Sequence, residues 1–212
     1  KKKLFILLLL SFSCSRNNIL FKAIKPDISG IDFNNKITET DKFNILTEEY
    51  IFNGGGIAVA DFDGNGLPDL FFTGNMVSNE LYLNQGNLRF KKVTKESNLN
   101  SKGFWSTGVA VVDINSDGLM DLYVTGAMYK NNRKNKLYIN NGLSKQGIPT
   151  FSEQALLYGI DDNGNGMGAA FIDYDKDGDL DLYVLNNEQN ETIPTNYRKK
   201  IIDGSAPSND KL

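Results

Sequence analysis

The chain has 212 residues, of which 40% are hydrophobic and 23% are charged, so it is long enough to bury a core. Its formal net charge is −3 and its isoelectric point is about 5.1, so no nucleic-acid partner is expected. The chain contains no histidine. This excludes the usual Ser-His-Asp and Cys-His catalytic constellations and a histidine-rich zinc site.

The first residues have the pattern of a secretory signal segment. Three lysines precede an apolar run from Leu4 to Leu10, and small residues lead to Cys14, the only cysteine in the chain. The run is too short to cross a bilayer, which takes about 20 apolar residues. The position of Cys14 resembles the lipobox of bacterial lipoproteins, which implies lipidation at Cys14. A cleavable signal with an incidental cysteine is the alternative.

Three acidic loops share one spacing, from Asp61 to Asp69, from Asp113 to Asp121 and from Asp173 to Asp181. Oxygen-bearing side chains stand at positions 1, 3, 5 and 9 of each loop, and glycine stands at position 6. Crowded carboxylates repel one another unless a cation neutralises them, and this spacing matches a loop that delivers oxygens to calcium. A solvated acidic turn is the alternative for a single loop. Repetition roughly every 50 to 60 residues favours a repeat architecture instead.

Each acidic loop is predicted to join two β-strands. The segments "GIAVAD", "GVAVVD" and "GAAFID" precede the loops, and "LFFTGN", "LYVTGA" and "LYVLNN" follow them. These segments are rich in β-branched and aromatic residues and are bounded by turn formers. Position 12 carries Phe72, Val124 and Val184, so the bidentate glutamate of an EF-hand is missing. A β-hairpin calcium loop closed by the aspartate at position 9 remains.

Two further strands follow each of the first two loops in the predicted pattern. "ELYLN" and "LRFKKVT" form a hairpin with a glycine turn after the first loop, and "KLYIN" and "TFSEQA" repeat it after the second. A near-copy of the acidic loop, "DDNGNG", begins at Asp161, but its ninth position is Ala169. We therefore predict a polar turn there.

The repeated strand, acidic loop and strand, followed by "NELYLNQGNLRFKKVT" and "NKLYINNG", resemble FG-GAP/VCBS repeats. "EEYIFNGGGIAVADFDGNGLPDLFFTGN" and "WSTGVAVVDINSDGLMDLYVTG" are similar to bacterial outer-membrane-associated proteins that carry such repeats before an ASPIC/UnbV-type domain. The resemblance implies an all-β fold, a partial β-propeller of four-stranded antiparallel blades with two complete blades and part of a third, preceded by a signal peptide. It also implies up to three calcium ions, held by Asp61, Asp63, Asn65, Leu67 and Asp69; by Asp113, Asn115, Asp117, Leu119 and Asp121; and by Asp173, Asp175, Asp177, Asp179 and Asp181. Leu67, Leu119 and Asp179 would contribute backbone carbonyls.

The expected domain order follows from the repeats. Residues 1–14 form a lipoprotein-type signal segment, 15–50 a lead-in, 51–100 blade 1, 101–160 blade 2 and 161–212 an incomplete blade 3. A closed propeller typically has 4 to 8 blades, so we expect the chain to be a segment of a longer protein. The third loop carries aspartate at every side-chain ligand position and is expected to bind calcium most tightly.

Three functions remain open from the sequence. The first is a calcium-stabilised, non-catalytic interaction module of an exported lipoprotein, anchored to the outer membrane only through lipid and facing the periplasm or the surface. Its ligand would be a protein or a glycan. The second is part of a calcium-dependent enzyme that acts on polysaccharides. The third is a scaffold that presents a further C-terminal domain. The repeated acidic clusters are already accounted for as metal ligands, which favours binding or scaffolding over catalysis.

Overall fold

A computed structural model describes residues 20–128, 132–187 and 209–212. The strands in these ranges are β1 (Ile57–Ala60), β2 (Asp69–Phe72), β3 (Glu80–Asn84), β4 (Phe90–Lys92), β5 (Ser106–Val112), β6 (Asp121–Gly126), β7 (Lys136–Leu143), β8 (Pro149–Glu153), β9 (Gly166–Ile172) and β10 (Asp181–Asn186). Two four-residue helices accompany them, α1 (Pro26–Ser29) and α2 (Ala155–Tyr158). The prediction of an all-β chain is confirmed.

The strands form three antiparallel sheets in chain order. β1 to β4 make the first sheet, β5 to β8 the second, and β9 with β10 the third. In the third sheet Lys211 also pairs with Val184 through an isolated bridge. The two four-stranded antiparallel sheets agree with the predicted blades. The described residues do not close into a ring, so the propeller itself stays a prediction.

The hairpin strands lie close to where the sequence predicts them. β3 spans the five residues of "ELYLN", and Gly86 forms the turn that leads to β4, where the N–H of Arg89 donates to the Gly86 carbonyl at 3.0 Å. β4 is shorter than predicted at both ends, because its register with β3 runs only from Phe90 to Lys92. β7 is longer than "KLYIN", since its pairing with β8 continues past a bulge after Asn140 as far as Leu143.

Two apolar layers hold neighbouring sheets together. Phe71 and Leu81 of the first sheet pack with Leu122 and Tyr138 of the second, and all four are 3% exposed or less. Tyr123 of the second sheet packs with Val184 of the third in the same manner. Burying one such side chain completely contributes about 1.5–3 kcal/mol, so each layer stabilises the contact between two consecutive sheets.

Neighbouring sheets approach each other through glycine and threonine near their first strands. A Cβ on Gly108 would lie 2.8 Å from the Cα of Gly168, a distance that only the absence of a side chain permits. The hydroxyl of Thr73 donates to the Thr107 carbonyl at 2.6 Å, and the hydroxyl of Thr107 donates to the Gly166 carbonyl at 2.6 Å. The glycines that open the first two predicted strands, Gly56 and Gly108, are thereby explained as points of close backbone contact, whereas a Cβ at Gly168 would meet nothing within 4 Å.

The lead-in covers part of the face of the first sheet that points away from the second sheet. The ring of Phe33 stacks on Phe72 at a centroid distance of 5.0 Å. The side chain of Asn35 donates to the Oδ1 of Asn75 at 2.6 Å, and the Asn75 backbone N–H donates back to Asn35 at 2.9 Å. On β1, an edge strand of this sheet, Val59 stays 58% exposed. The lead-in therefore covers the end of β2 and leaves Val59 of β1 exposed.

Candidate metal centre

The three acidic loops occupy the same place in the three sheets. The first joins β1 to β2, the second joins β5 to β6 and the third joins β9 to β10, and in each case the two strands pair antiparallel. The aspartate at position 9 is the first residue of the second strand in each hairpin. Each loop is therefore anchored by a strand pair rather than by helices.

In the first loop, backbone N–H groups wrap around the side chain of Asp61. Its Oδ1 accepts from Gly64 at 2.8 Å, and its Oδ2 accepts from Gly66 at 2.7 Å. The Oδ1 of Asp63 accepts from the backbone of Asn65 at 3.1 Å. These bonds fold the loop back on its first carboxylate and turn the next ligand positions toward it.

Asp69 closes the first loop from a fully buried position, 0% exposed. Its two carboxylate oxygens accept the backbone N–H of Phe62 at 2.9 Å and of Asn84 at 2.7 Å. Burial raises the pKa of Asp69 to about 6 in the absence of metal. A buried carboxylate with two further acidic groups beside it favours a cation as its neighbour.

Carboxylate oxygens of Asp61, Asp63 and Asp69 lie within 4.8 Å of one another. Oxygens on opposite sides of a calcium ion stand about 5 Å apart, because each lies at roughly 2.3–2.6 Å from the metal. The donors are all oxygens, the ligands that hard divalent cations prefer. The residues present therefore fit such a cation in their chemistry and their spacing, and further oxygens would have to complete its shell.

The second loop repeats the first with fewer convergent charges. Asp113 accepts the N–H of Asp117 at 3.0 Å and of Gly118 at 2.9 Å. Asp121 is 0% exposed, accepts from the backbone of Asn140 at 2.8 Å, and has a pKa raised by burial. Asn115 donates to Asp117 through its amide at 2.9 Å. Both loops carry three aspartates and one asparagine at these positions. Among the described residues, however, the carboxylates of the second loop do not form a group within 4.8 Å as those of the first do.

The third loop brings Asp173, Asp175 and Asp177 within 4.8 Å of one another, but all three side chains are exposed. Asp181 is half-buried and accepts the backbone N–H of Tyr174 at 2.9 Å. It does not belong to the convergent group, unlike Asp69 in the first loop. Among the residues that the structure describes, this loop therefore has the most exposed ligand set.

The residue at position 7 has the same local geometry in all three loops. Its N–H donates to the side chain at position 5, at 2.7 Å for Leu67, 2.8 Å for Leu119 and 3.0 Å for Asp179. These bonds fix the turn through the glycine at position 6. The carbonyls of these three residues stay predicted ligands.

The sequence did not identify two asparagines that clamp the loops. Asn84 and Asn140 end the segments "ELYLN" and "KLYIN", and each donates its backbone N–H to the aspartate at position 9 of its own sheet. Each asparagine stands two residues after the tyrosine of a Leu-Tyr pair in the third strand of its sheet, and this shared offset could have identified both. The clamp ties the acidic loop to a strand that follows it in the chain.

A family model of FG-GAP-like repeats matches residues 61–124 and 125–184, which together exceed half of the chain. The chain belongs to the FG-GAP-like repeat family. FG-GAP repeats imply a β-propeller-type interaction module, and proteins of this family are typically non-enzymatic.

Curated relatives of this FG-GAP repeat chain are vertebrate and distant. Cartilage acidic protein 1 of Homo sapiens is 26% identical over 139 residues, and that of Mus musculus is 25% identical over 139 residues; each match covers 64% of this chain. The Xenopus tropicalis protein of the same name is 25% identical over 140 residues, again 64% of this chain. The chain spans about a fifth of these relatives, 21% of each.

Three further features concern the near-copy of the acidic loop, the signal segment and membrane-spanning helices. In the near-copy of the loop, Asp161 pairs with Lys134 and Asp162 pairs with Lys211, so basic side chains neutralise these carboxylates as expected of a polar turn. Cys14 and the signal segment, residues 1–14, lie outside the described residues and stay predictions. Within the described ranges, none of the helices has the length and apolar character needed to span a membrane.

Proposed function

We propose that this FG-GAP repeat chain is a calcium-stabilised, non-catalytic interaction module. The observation that carries the proposal is the convergence of three carboxylates in the first loop, with Asp69 fully buried against them. A divalent ion converts the repulsion among these groups into attraction. The ion would be structural, because it would hold closed the loop of a β-hairpin whose residue Phe62 packs against the second sheet.

The expected consequence is a melting temperature that depends on calcium. Binding to the folded state alone stabilises it by about 2.7 kcal/mol per site at a free calcium of roughly 100 times the dissociation constant. We expect chelator to lower the melting temperature and calcium to restore it. Magnesium should restore it poorly, because it demands tighter octahedral geometry. Differential scanning calorimetry makes this measurement, and a melting temperature indifferent to chelator would refute the proposal.

The ligand of the module is proposed to be a protein or a glycan. The acidic charge balance of the chain favours neither a nucleic acid nor an anionic surface as its partner. The enzyme alternative is a calcium-dependent propeller that acts on polysaccharides. It is less well supported, because the convergent carboxylates are already assigned as predicted metal ligands of the loops. A scaffold for a further domain, such as the ASPIC/UnbV-type domain of the resembling bacterial proteins, is compatible with the same structure.

We further propose that the module belongs to an exported lipoprotein of the bacterial outer membrane, anchored through Cys14. The apolar run and the position of Cys14 after it support this proposal. Metabolic labelling with a palmitate analogue should mark the protein, and Cys14→Ser should abolish the label and release the protein from the membrane fraction. Labelling that persists in Cys14→Ser would exclude the anchor.

A further inference from the structure

Asn140 is a buried side chain, 1% exposed, that contacts two acidic loops at once. Its backbone N–H donates to the Oδ1 of Asp121 at 2.8 Å, and its Nδ2 donates to the Met120 carbonyl at 3.3 Å. Both contacts hold the end of the second loop. The same Nδ2 donates to the carbonyl of Phe62, in the first loop, at 3.0 Å.

Phe62 is the residue between two predicted ligands of the first loop, Asp61 and Asp63. Its N–H donates to Asp69 at 2.9 Å, and its ring, which is 1% exposed, makes an edge contact with Phe151 at a centroid distance of 6.2 Å. Phe151 belongs to β8, in the second sheet. The second sheet thus holds both the carbonyl and the ring of Phe62, and any movement of Phe62 moves the ligands on either side.

Asn84 is the matching residue of the first sheet and provides a natural comparison. Its backbone N–H donates to Asp69 at 2.7 Å and its Nδ2 donates to the Pro68 carbonyl at 2.8 Å, as Asn140 does with its own loop. In the described part of the chain, the hydrogen bonds of its amide stay within the first sheet. The bond to a neighbouring loop therefore distinguishes Asn140 from Asn84.

We propose that Asn140 couples the first two acidic loops, so that a calcium ion in either loop favours binding in the other. The inference rests on the proposed calcium binding. An ion that fixes Asp121 fixes the backbone of Asn140, whose amide then holds Phe62 and the ligand pair around it. Linkage makes the effect reciprocal. Asn140 is a positioning residue, since it supplies no ligand to either ion.

The test compares calcium binding by one loop with binding by both. Asp173→Ala is present throughout to disable the third loop. Adding Asp113→Ala leaves the first loop alone, and adding Asp61→Ala instead leaves the second. Calorimetric titration of these proteins and of the two-site protein gives a coupling factor, the overall constant for two ions divided by the product of the single-site constants. We expect a factor of about 2 to 13, the range that one neutral hydrogen bond contributes to an equilibrium constant.

Two substitutions then assign the coupling to the amide of Asn140. Asn140→Leu should reduce the factor to about 1. Asn84→Leu is the matched control, and it should weaken the first site while leaving the factor unchanged. A factor of 1 with Asn140 in place, or an unchanged factor in Asn140→Leu, overturns the coupling. If Asn140→Leu does not fold, as judged by circular dichroism, the factor of the Asn140 protein decides alone. Absence of calcium binding by all these proteins would overturn the proposed function as well.

Discussion

The hydroxyl of Tyr123 satisfies two buried polar groups at once. It donates to the Ile160 carbonyl at 2.8 Å and accepts from the Nδ2 of Asn135 at 3.0 Å. Burial raises its pKa to about 12, so the hydroxyl keeps its proton at neutral pH. Phe71 occupies the same position in the first sheet, and the Nδ2 of Asn79 has no partner among the described residues. One hydroxyl thus decides whether the asparagine is satisfied.

Removing the Tyr123 hydroxyl should lower the free energy of unfolding, whereas removing a buried hydroxyl that has no partner should not. We expect Tyr123→Phe to lower the free energy of unfolding by about 1–3 kcal/mol, because Ile160 and Asn135 lose their partner. The control is Tyr138→Phe: the Tyr138 hydroxyl is buried without a partner in the described residues, so its loss should be neutral or stabilising. Urea unfolding measures both. Equal losses in the two variants would contradict this account.

At the residue scale, the sequence predicts only what is local to the loop. Spacing places Asp61 and Asp63 in one nine-residue loop with Asp69, and their oxygens lie within 4.8 Å of one another; that they bind a metal stays a prediction. The partners of these groups are not local. Asn140 reaches Phe62 across 78 residues, and no spacing rule connects positions so far apart.

At the scale of elements, the lead-in packs against the first sheet at α1 and at the turn that ends this helix. Gly30 caps α1 with a φ of 78°, in the left-handed region. A Cβ at Gly30 would lie 2.4 Å from the carbonyl oxygen of Phe90, in β4. The backbone of the lead-in therefore touches the outermost strand of the sheet, and no side chain fits between them.

We expect Gly30→Ala to detach the lead-in from the first sheet. Gly86→Ala is the control, since Gly86 has a φ of 80° but nothing within 4 Å of its Cβ position. Gly86→Ala should lower the free energy of unfolding only by the strain of a left-handed backbone, about 1–2 kcal/mol. Gly30→Ala should cost more and should also expose the lead-in to limited proteolysis. Identical losses in stability, with no new cleavage, would show that the contact with Phe90 contributes nothing.

The hairpins could be predicted from the sequence, and the lead-in could not. Short apolar runs bounded by turn residues specify β1 with β2, β5 with β6 and β9 with β10, because antiparallel neighbours are joined by short loops. The lead-in has no such pattern. Phe33 contacts Phe72 through tertiary packing. Local sequence patterns do not predict a contact between residues so far apart in the chain.

At the scale of the whole molecule, consecutive sheets stack through one repeated face. Phe71 and Tyr123 stand at matching positions and are 0% exposed, because the next sheet covers each of them. Tyr183 holds that position in the third sheet and is 37% exposed. The acidic loops sit beside this stack, and the residue at position 2 of the first loop, Phe62, packs into it. The predicted cation loop and the packing between sheets therefore meet at Phe62.

Calorimetric titration of calcium into the unaltered chain tests this account most directly. We predict that up to three ions bind, and that Asp173→Ala removes more of the binding than Asp113→Ala does. The reason is that the third loop has aspartate at every side-chain ligand position, whereas Asn115 brings no charge to the second. No binding at millimolar calcium would contradict the account and reduce the three loops to acidic turns.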